Sequence, residues 1–336
     1  MSYSRHLLLI AFCLVCFLDR VGAVSAGEGL RHTPIVEAVR KARGSVLTLR
    51  AEKRSSFGRS GESLGTAVIV DERGFAVTNR HVVADCVKLQ AFYEDGSAVQ
   101  ATVVREVREH DLAILQLSGR PSFKAMPLGP SSDLEQGEDV IAIGNPYGYK
   151  NTVTRGIISA VGRDIVLPSG DKLCNLIQID AAINPGSSGG PLLNIHGELI
   201  GINVAMRDGA QLIAFAIPSD TVKAILVEHL SAKQMVGVDH GLACSEEVVK
   251  PEGPNRQRVK VTGLNAVPES ENAIRPGDYI VQVADRSVAN RFDLERALWD
   301  YKPGARVPVV VDRNGQMVVV HLTFAEPRGV QVTGRR

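Results

Sequence analysis

The sequence carries almost no net charge. Its 38 Lys and Arg residues are met by 37 Asp and Glu, a formal +1 over 336 residues, so charge gives no reason to expect a nucleic-acid or anionic-membrane partner. No Gly-Lys-Ser or Gly-Lys-Thr phosphate loop is present to support an ATPase. Alternation of strands with helices, which would build a parallel sheet, is missing, and there is no tandem repeat. Cysteine is sparse, with five in all. What is present suits a globular chain: 44% apolar and 22% charged residues argue against global disorder. The length suggests about two domains.

The N-terminus differs from the rest. Arg5 and His6 precede an apolar run at 7–18, and the small residues Gly22, Ala23, Ser25 and Ala26 follow, the pattern of a secretory leader. The run is twelve residues long, short of the roughly 20 that a membrane-spanning helix needs. Cleavage after Ala26, with Val24 three residues before the cut, is the preferred reading, and Ala23 offers a second site. An uncleaved anchor extended past Asp19 and Arg20 is the alternative. Export from the cytoplasm is therefore expected. Loss of the leader removes Cys13 and Cys16. Cys86, Cys174 and Cys244 remain, an odd number that cannot all pair within one chain, and they read as small buried hydrophobes.

Residues 33–43 have helix-forming composition, with Pro34 suited to a first turn and Gly44 to a stop. Short β-rich runs then alternate with turn residues at 45–49, 66–70, 75–78, 87–92, 98–104, 112–117, 140–143, 173–178, 192–194, 199–204 and 212–217. Many short strands separated by Gly, Pro and Asp predict a mainly β unit, an antiparallel sandwich or barrel. Val222, Ile225, Leu226 and Leu230 have helical spacing and would close this unit, leaving 231–234 as a short connector. A second β-rich unit follows, with a helix at 292–299 opened by Asn290. Its hairpin, 307–311 with 317–322, turns on Asn314-Gly315, a pair that tolerates positive φ.

Three polar residues sit where β scaffolds present chemistry. His81 follows a strand in 78–83. Asp111 opens the apolar strand at 112–117. Ser188 lies in Asn184-Pro185-Gly186-Ser187-Ser188-Gly189-Gly190-Pro191. Singly, each reads as structural. Together they supply a weak nucleophile, a base to activate it and a carboxylate to orient the base. Their order along the chain, His then Asp then Ser, is that of the handed-down triad of chymotrypsin. Glycines around Ser188 let backbone N–H groups converge beside its hydroxyl, where the oxyanion of a tetrahedral intermediate would sit.

On these residues the chain resembles the HtrA/Deg family of serine proteases. Residues 65–83 resemble the family's histidine region, 111–117 its aspartate strand, 128–162 the middle of its protease domain, 178–193 its serine loop and 214–218 its last strand. The resemblance implies a chymotrypsin-like double β-barrel at 33–230. It implies His81 as general base and then acid, Asp111 as its orienting partner and Ser188 as nucleophile. The N–H groups of Gly186 and Ser188 would form the oxyanion hole. The family's usual Asn before the nucleophile is replaced here by Ser187. Ala182, six residues before the nucleophile, stands near the base of the primary pocket, with Ile183 and Asn203 as further lining. With no acid there, a small or medium apolar residue is expected before the cut.

Residues 235–325 resemble a PDZ domain of the HtrA kind, carried by 273–280, the helix near 293–299 and Pro303-Gly304; 326–336 reads as a loose tail. Such domains add an extended chain end to a sheet edge and hold its carboxylate on loop N–H groups. Val236, Gly237 and Val238 are the expected loop. No metal or organic cofactor is expected. The implied partners are unfolded or misfolded proteins, peptide C-termini and two further copies of the chain in a homotrimer, although 28–55 lacks the aromatic residues such trimers use. The alternative function is a chaperone or peptide-sensing scaffold with weak or no proteolysis.

Overall fold

The computed structural model describes residues 31–53, 61–145, 151–166, 170–206, 212–250, 256–265 and 273–324. The expected leader and tail lie outside them. Helix α1, Pro34–Ala42, begins where the sequence places it: Thr33 accepts from the Val36 N–H at 3.3 Å and Pro34 occupies the first turn.

Six strands follow: β1 (Val46–Lys53), β2 (Gly61–Ile69), β3 (Phe75–Asn79), β4 (Cys86–Phe92), β5 (Ala98–Val107) and β6 (Leu112–Ser118). They close into a barrel in the order β1-β2-β3-β6-β5-β4. One helical turn, α2 (Arg80–Val83), leaves the end of β3. A second closed barrel has the order β10-β11-β12-β9-β8-β7. Its strands are β7 (Asp139–Gly144), β8 (Thr152–Val166), β9 (Lys172–Ile179), β10 (Pro191–Leu193), β11 (Leu199–Met206) and β12 (Ala214–Pro218). The double barrel is thus the expected chymotrypsin-like arrangement. Sequence periodicity missed β8, and the reason is visible: Val153, Ile157, Val161 and Val166 point to solvent and three irregularities interrupt its register with β9. An inside–outside alternation cannot be read where apolar side chains face water.

Helix α3, Ser219–His229, follows β12. The stretch expected as a bare connector instead carries a short helix, α4 (Ala232–Val236), ended by Gly237 at φ +74°. The last unit contains β13 (Leu242–Val248), β14 (Gln257–Leu264), β15 (Tyr279–Val283), β16 (Arg286–Ser287), helix α5 (Arg291–Ala297), β17 (Arg306–Arg313) and β18 (Gln316–Thr323). The sheet runs β13-β14-β15-β17-β18, with β16 beside β15. The β17–β18 hairpin turns on Asn314 and Gly315, both at positive φ, as the dipeptide predicts. Asn290 caps α5 reciprocally with Asp293.

One hydrophobic cluster crosses from the second barrel into this last unit. Val222, Ile225 and Leu226 of α3, together with Leu230, are buried with Val238, Leu242, Phe292 and Trp299. The spacing that predicts α3 therefore describes a seam between units. The seam is polar as well as apolar. The Trp299 indole N–H donates to Leu230 O at 3.1 Å, Lys223 Nζ lies 2.7 Å from Glu246 and Gln257 donates to Leu128 O at 2.7 Å. The cysteines depart in part from expectation: Cys86 and Cys244 are half-buried, but Cys174 is exposed.

Candidate active site

The meeting of His81 and Asp111 follows from strand register. Strands β3 and β6 pair antiparallel with Asn79 opposite Leu112. The residues just beyond this pair, two after Asn79 and one before Leu112, must therefore be neighbours. The turn of α2 is tied to Asp111 O by the Arg80 N–H at 2.9 Å and by the Asn79 side chain at 3.1 Å. Asp111 itself ends a 3₁₀ turn in the left-handed region, φ 50°, a conformation that Asp tolerates better than most residues. Its carboxylate accepts from the His81 N–H at 2.9 Å and lies 2.6 Å from ring Nδ1. An ionised carboxylate only accepts, so the proton of this pair belongs on Nδ1 and Nε2 is left as a base. The Asp111 side chain is 7% exposed and that of His81 46%, which leaves the ring open to a substrate. Gly65 of β2 makes room for this turn, since a Cβ there would stand 2.5 Å from Val82.

Ser188 lies on the loop between β9 and β10. The loop is a chain of fixed peptide planes. The Ser187 N–H closes a turn onto Asn184 O at 2.9 Å, and Gly186 in that turn has φ +101°. Asn-Pro-Gly-Ser has the type II signature, Pro second and Gly third, a local signal that the sequence carries. The Gly190 N–H donates to Ser187 O at 3.0 Å, and the Gly189 N–H to Asn203 O at 2.9 Å. Ser188 O accepts from Thr66 N–H at 2.8 Å, and Gly186 O from the Thr66 hydroxyl at 2.8 Å. Among the described residues, no acceptor takes the N–H of Gly186 or of Ser188. Backbone donors away from water are rarely left without a partner. These two are the pair that the family resemblance implies for an oxyanion.

The Ser188 hydroxyl donates to Val204 O at 3.1 Å, and no hydrogen bond joins it to His81 among the described residues. Ser187 is 6% exposed and packs on Gly144, where a Cβ would come within 2.8 Å of the Ser187 side chain. Ala182 and Ile183 line a cavity of about 20 Å³ with Ala142, Gly144, Thr154 and Ser187, room for one water. Ser188 is not among its lining. Asn203, expected at the substrate pocket, is fully buried and donates to Pro191 O at 3.1 Å. It anchors the serine loop from below, because its backbone also spans Gly189 and Gly190.

The expected carboxylate loop of the last unit needs a larger correction. Val236 belongs to α4, and the N–H groups of Gly237 and Val238 already donate to Lys233 O and Ala232 O. Val238 is fully buried. Donors consumed by a helix end cannot hold a ligand carboxylate. The loop that leads into β13 is 239–241. There Gly241 N–H donates to Asp239 at 3.1 Å and Leu242 N–H to His240 Nδ1 at 3.1 Å. His240 Nε2 lies 3.1 Å from Glu295 of α5, and Glu246 accepts from Arg291 N–H at 2.7 Å. Strand β13 is an edge strand beside α5, and side-chain bonds join the two elements at both ends. The loop was read one Gly-hydrophobe pair too early, at Gly237-Val238, whereas the strand itself begins after Gly241, at Leu242.

Two closed six-stranded barrels with a His–Asp pair and a glycine-flanked serine, followed by a sheet with a helix over its edge, define a trypsin-like peptidase joined to a PDZ domain. Residues 65–202 match the family described as "Trypsin-like peptidase domain", and 200–323 match "PDZ domain". The "HtrA-type protease AlgW with tripeptide" is similar at 32% identity, with a TM-score of 0.53, over 88% of this chain and 98% of that one. The chain belongs to the HtrA/Deg family. Among curated proteins, a "Probable periplasmic serine endoprotease DegP-like" of Pseudomonas putida (strain W619) is 35% identical over 81% of this chain. One of the same description from Brucella suis biovar 1 (strain 1330) is 33% identical over 78%. The chain spans 57% and 52% of the length of these two relatives.

Proposed function

We propose that the chain is a serine endopeptidase that cuts unfolded or damaged proteins outside the cytoplasm, without ATP. The observation that carries the reading is the pair of N–H groups, Gly186 and Ser188, that have no partner among the described residues, beside a glycine-flanked serine. The Asp111-held imidazole supplies the base. In this reading the Ser188 hydroxyl turns from Val204 O to His81 Nε2 as substrate binds. Oγ attacks the scissile carbonyl carbon while its proton passes to Nε2. The developing oxyanion takes the N–H groups of Gly186 and Ser188, and Asp111 stabilises the imidazolium. The C–N bond then breaks as His81 returns the proton to the leaving amine. Water, deprotonated by the same ring, attacks the acyl-enzyme ester and releases the acid and free Ser188.

The periplasm is the proposed compartment, supported by the leader pattern at 1–26 and by the description of the DegP-like relatives as periplasmic. A homotrimer is the proposed assembly. The PDZ domain is proposed to take an extended chain end along β13, and an incoming carboxylate would have to displace Asp239 and His240 from Gly241 and Leu242.

The test is labelling of the full chain by a fluorophosphonate probe, compared with Ser188→Ala. Label on Ser188 alone, together with cleavage of unfolded casein, is the expected result; an unlabelled wild type across temperatures and peptide activators defeats the reading. A second reading, a peptide-sensing scaffold with little proteolysis, is favoured by the resting Ser188–Val204 bond. It predicts that Ser188→Ala still suppresses aggregation of unfolded protein as well as wild type, and that loss of activity in cells does not follow from this substitution.

A further inference from the structure

We propose that Thr66, on β2 of the first barrel, is the positioning residue that sets the oxyanion loop of the second barrel, with Asn145 as its partner. The inference rests on the serine-peptidase reading of Gly186 and Ser188. Thr66 is fully buried, and so is all but 1% of Asn145. Every polar atom of Thr66 is used, and three of its bonds leave its own barrel. The hydroxyl donates to Gly186 O at 2.8 Å and accepts from Asn145 Nδ2 at 3.2 Å. The backbone N–H donates to Ser188 O at 2.8 Å, and its carbonyl accepts from the Thr78 hydroxyl at 2.7 Å. Asn145 adds its own N–H to Gly186 O at 3.4 Å, and its Oδ1 is fixed by Asn151 N–H at 2.7 Å.

The consequence for the hole is geometric. A trans peptide points its carbonyl and its N–H in opposite directions. The 186–187 peptide is clamped at both ends, by Thr66 and Asn145 on the oxygen and by Asn184 O on the nitrogen. The 188–189 peptide is clamped likewise, by Thr66 N–H and Asn203 O. The Gly186 N–H belongs to the peptide before the first clamp, so its direction relative to that clamp is set by the two torsions of Gly186 alone, φ (at +101°) and ψ. The direction of the Ser188 N–H is fixed opposite to Ser187 O, which Gly190 holds. A buried strand position filled only for packing would be served better by Val, which has the same shape and no hydroxyl to desolvate. The hydroxyl has a use across the barrel interface, 120 residues away in sequence.

The test uses the full chain with Thr66→Val, Thr66→Ser and Asn145→Ala. The readouts are the rate of fluorophosphonate labelling of Ser188, kcat and KM on a fluorogenic peptide, and the melting temperature. Thr66→Val is expected to lower kcat and the labelling rate about tenfold, less than the roughly 10²–10³ lost when an oxyanion donor itself is removed, with KM within about twofold. Thr66→Ser should recover most of both rates, and the double variant should fall no further than Thr66→Val alone. A substitution that only loosened the barrel would lower the melting temperature and leave kcat of the folded enzyme unchanged. That result overturns the proposal. Should Thr66→Val not fold, Asn145→Ala with wild-type kcat overturns it equally. If wild type is not labelled at Ser188, the peptidase reading falls and the brace with it; if wild type is labelled and Thr66→Val keeps its rate, only the brace falls.

Discussion

Asp111 holds His81 at two points, the ring Nδ1 at 2.6 Å and the backbone N–H at 2.9 Å. One carboxylate thus fixes both the turn that carries the base and the orientation of its ring. An amide in its place keeps the shape but can present an N–H to Nδ1, which favours the tautomer with the proton on Nε2. Asp111→Asn is expected to lower kcat by roughly 10³–10⁴, with KM within a few-fold, as the corresponding change does in the trypsin example. Peptide hydrolysis of the purified variant checks this, and circular dichroism confirms its fold.

Gly189 tests the packing beneath the serine. Its φ is +83°, and a Cβ would meet Thr66 O at 2.1 Å and the Thr78 hydroxyl at 2.2 Å. Neither partner is the end of a flexible chain: one is backbone and the other is bonded to that backbone. Gly189→Ala should therefore destabilise the fold by about 3 kcal/mol from strain and overpacking, and should abolish labelling of Ser188 at temperatures where the protein remains folded. Urea unfolding together with probe labelling measures both.

Trp299 is the only tryptophan in the chain, and it sits on the seam between the units. Phe75 of the first barrel meets its ring edge-on at 5.3 Å, the Arg73 guanidinium lies 5.1 Å from it and its N–H is bonded to Leu230 O. Truncation to Ala removes a buried aromatic ring and should cost about 3–5 kcal/mol. Intrinsic fluorescence of wild type then reports docking of the PDZ domain directly. The emission should move to longer wavelength in the same urea transition that ends peptidase activity. A fluorescence change that precedes loss of activity would show that the seam opens independently.

Acid should weaken the rim of that seam. The Arg286 guanidinium, bonded to Glu72 at 2.7 Å, holds the Glu72 carboxyl below its ordinary value of 4.5. Partial burial works the other way, and Arg73 and Arg296 assist Arg286. A carboxylate with a depressed folded value contributes stability above its ordinary value, and the contribution is lost as pH falls through the folded one. Docking should therefore be complete near neutral pH and loosen below about 4.5. The pair is partly exposed, so the effect should be modest and reduced by salt. Arg286→Ala should lower the melting temperature at pH 7, and that penalty should shrink as pH falls below the ordinary carboxyl value of 4.5.

Much of this architecture is legible in short stretches of sequence. Pro34 after Thr33, the helical spacing of Val222, Ile225 and Leu226, and Asn314-Gly315 each act through the backbone of their own neighbourhood. The strand runs of both barrels are short, β-rich and bounded by turn residues, and so can be read, apart from β8, where Val153, Ile157, Val161 and Val166 face solvent. The site was less evenly legible. His81, Asp111 and Ser188 stand out by residue type and order, whereas Asn203 looked like a wall of the pocket and is a buried anchor. Gly237 looked like a carboxylate loop and is a helix cap.

The sequence by itself determined which chemical groups are available, where the strands run and where the chain turns, because these depend on side-chain type and on torsions a few residues apart. Only the tertiary structure decided which backbone donors remain free. Gly186 and Ser188 keep their N–H groups because Thr66, Asn145, Asn184, Gly190 and Asn203 saturate the carbonyls and donors around them. Gly241 and Leu242 give theirs to Asp239 and His240, two residues back, and Glu295 of α5, 3.1 Å from His240 Nε2, holds the second of these acceptors from 55 residues away. Each N–H has one hydrogen to give, and which acceptor wins it is settled by residues that meet only when the chain has folded.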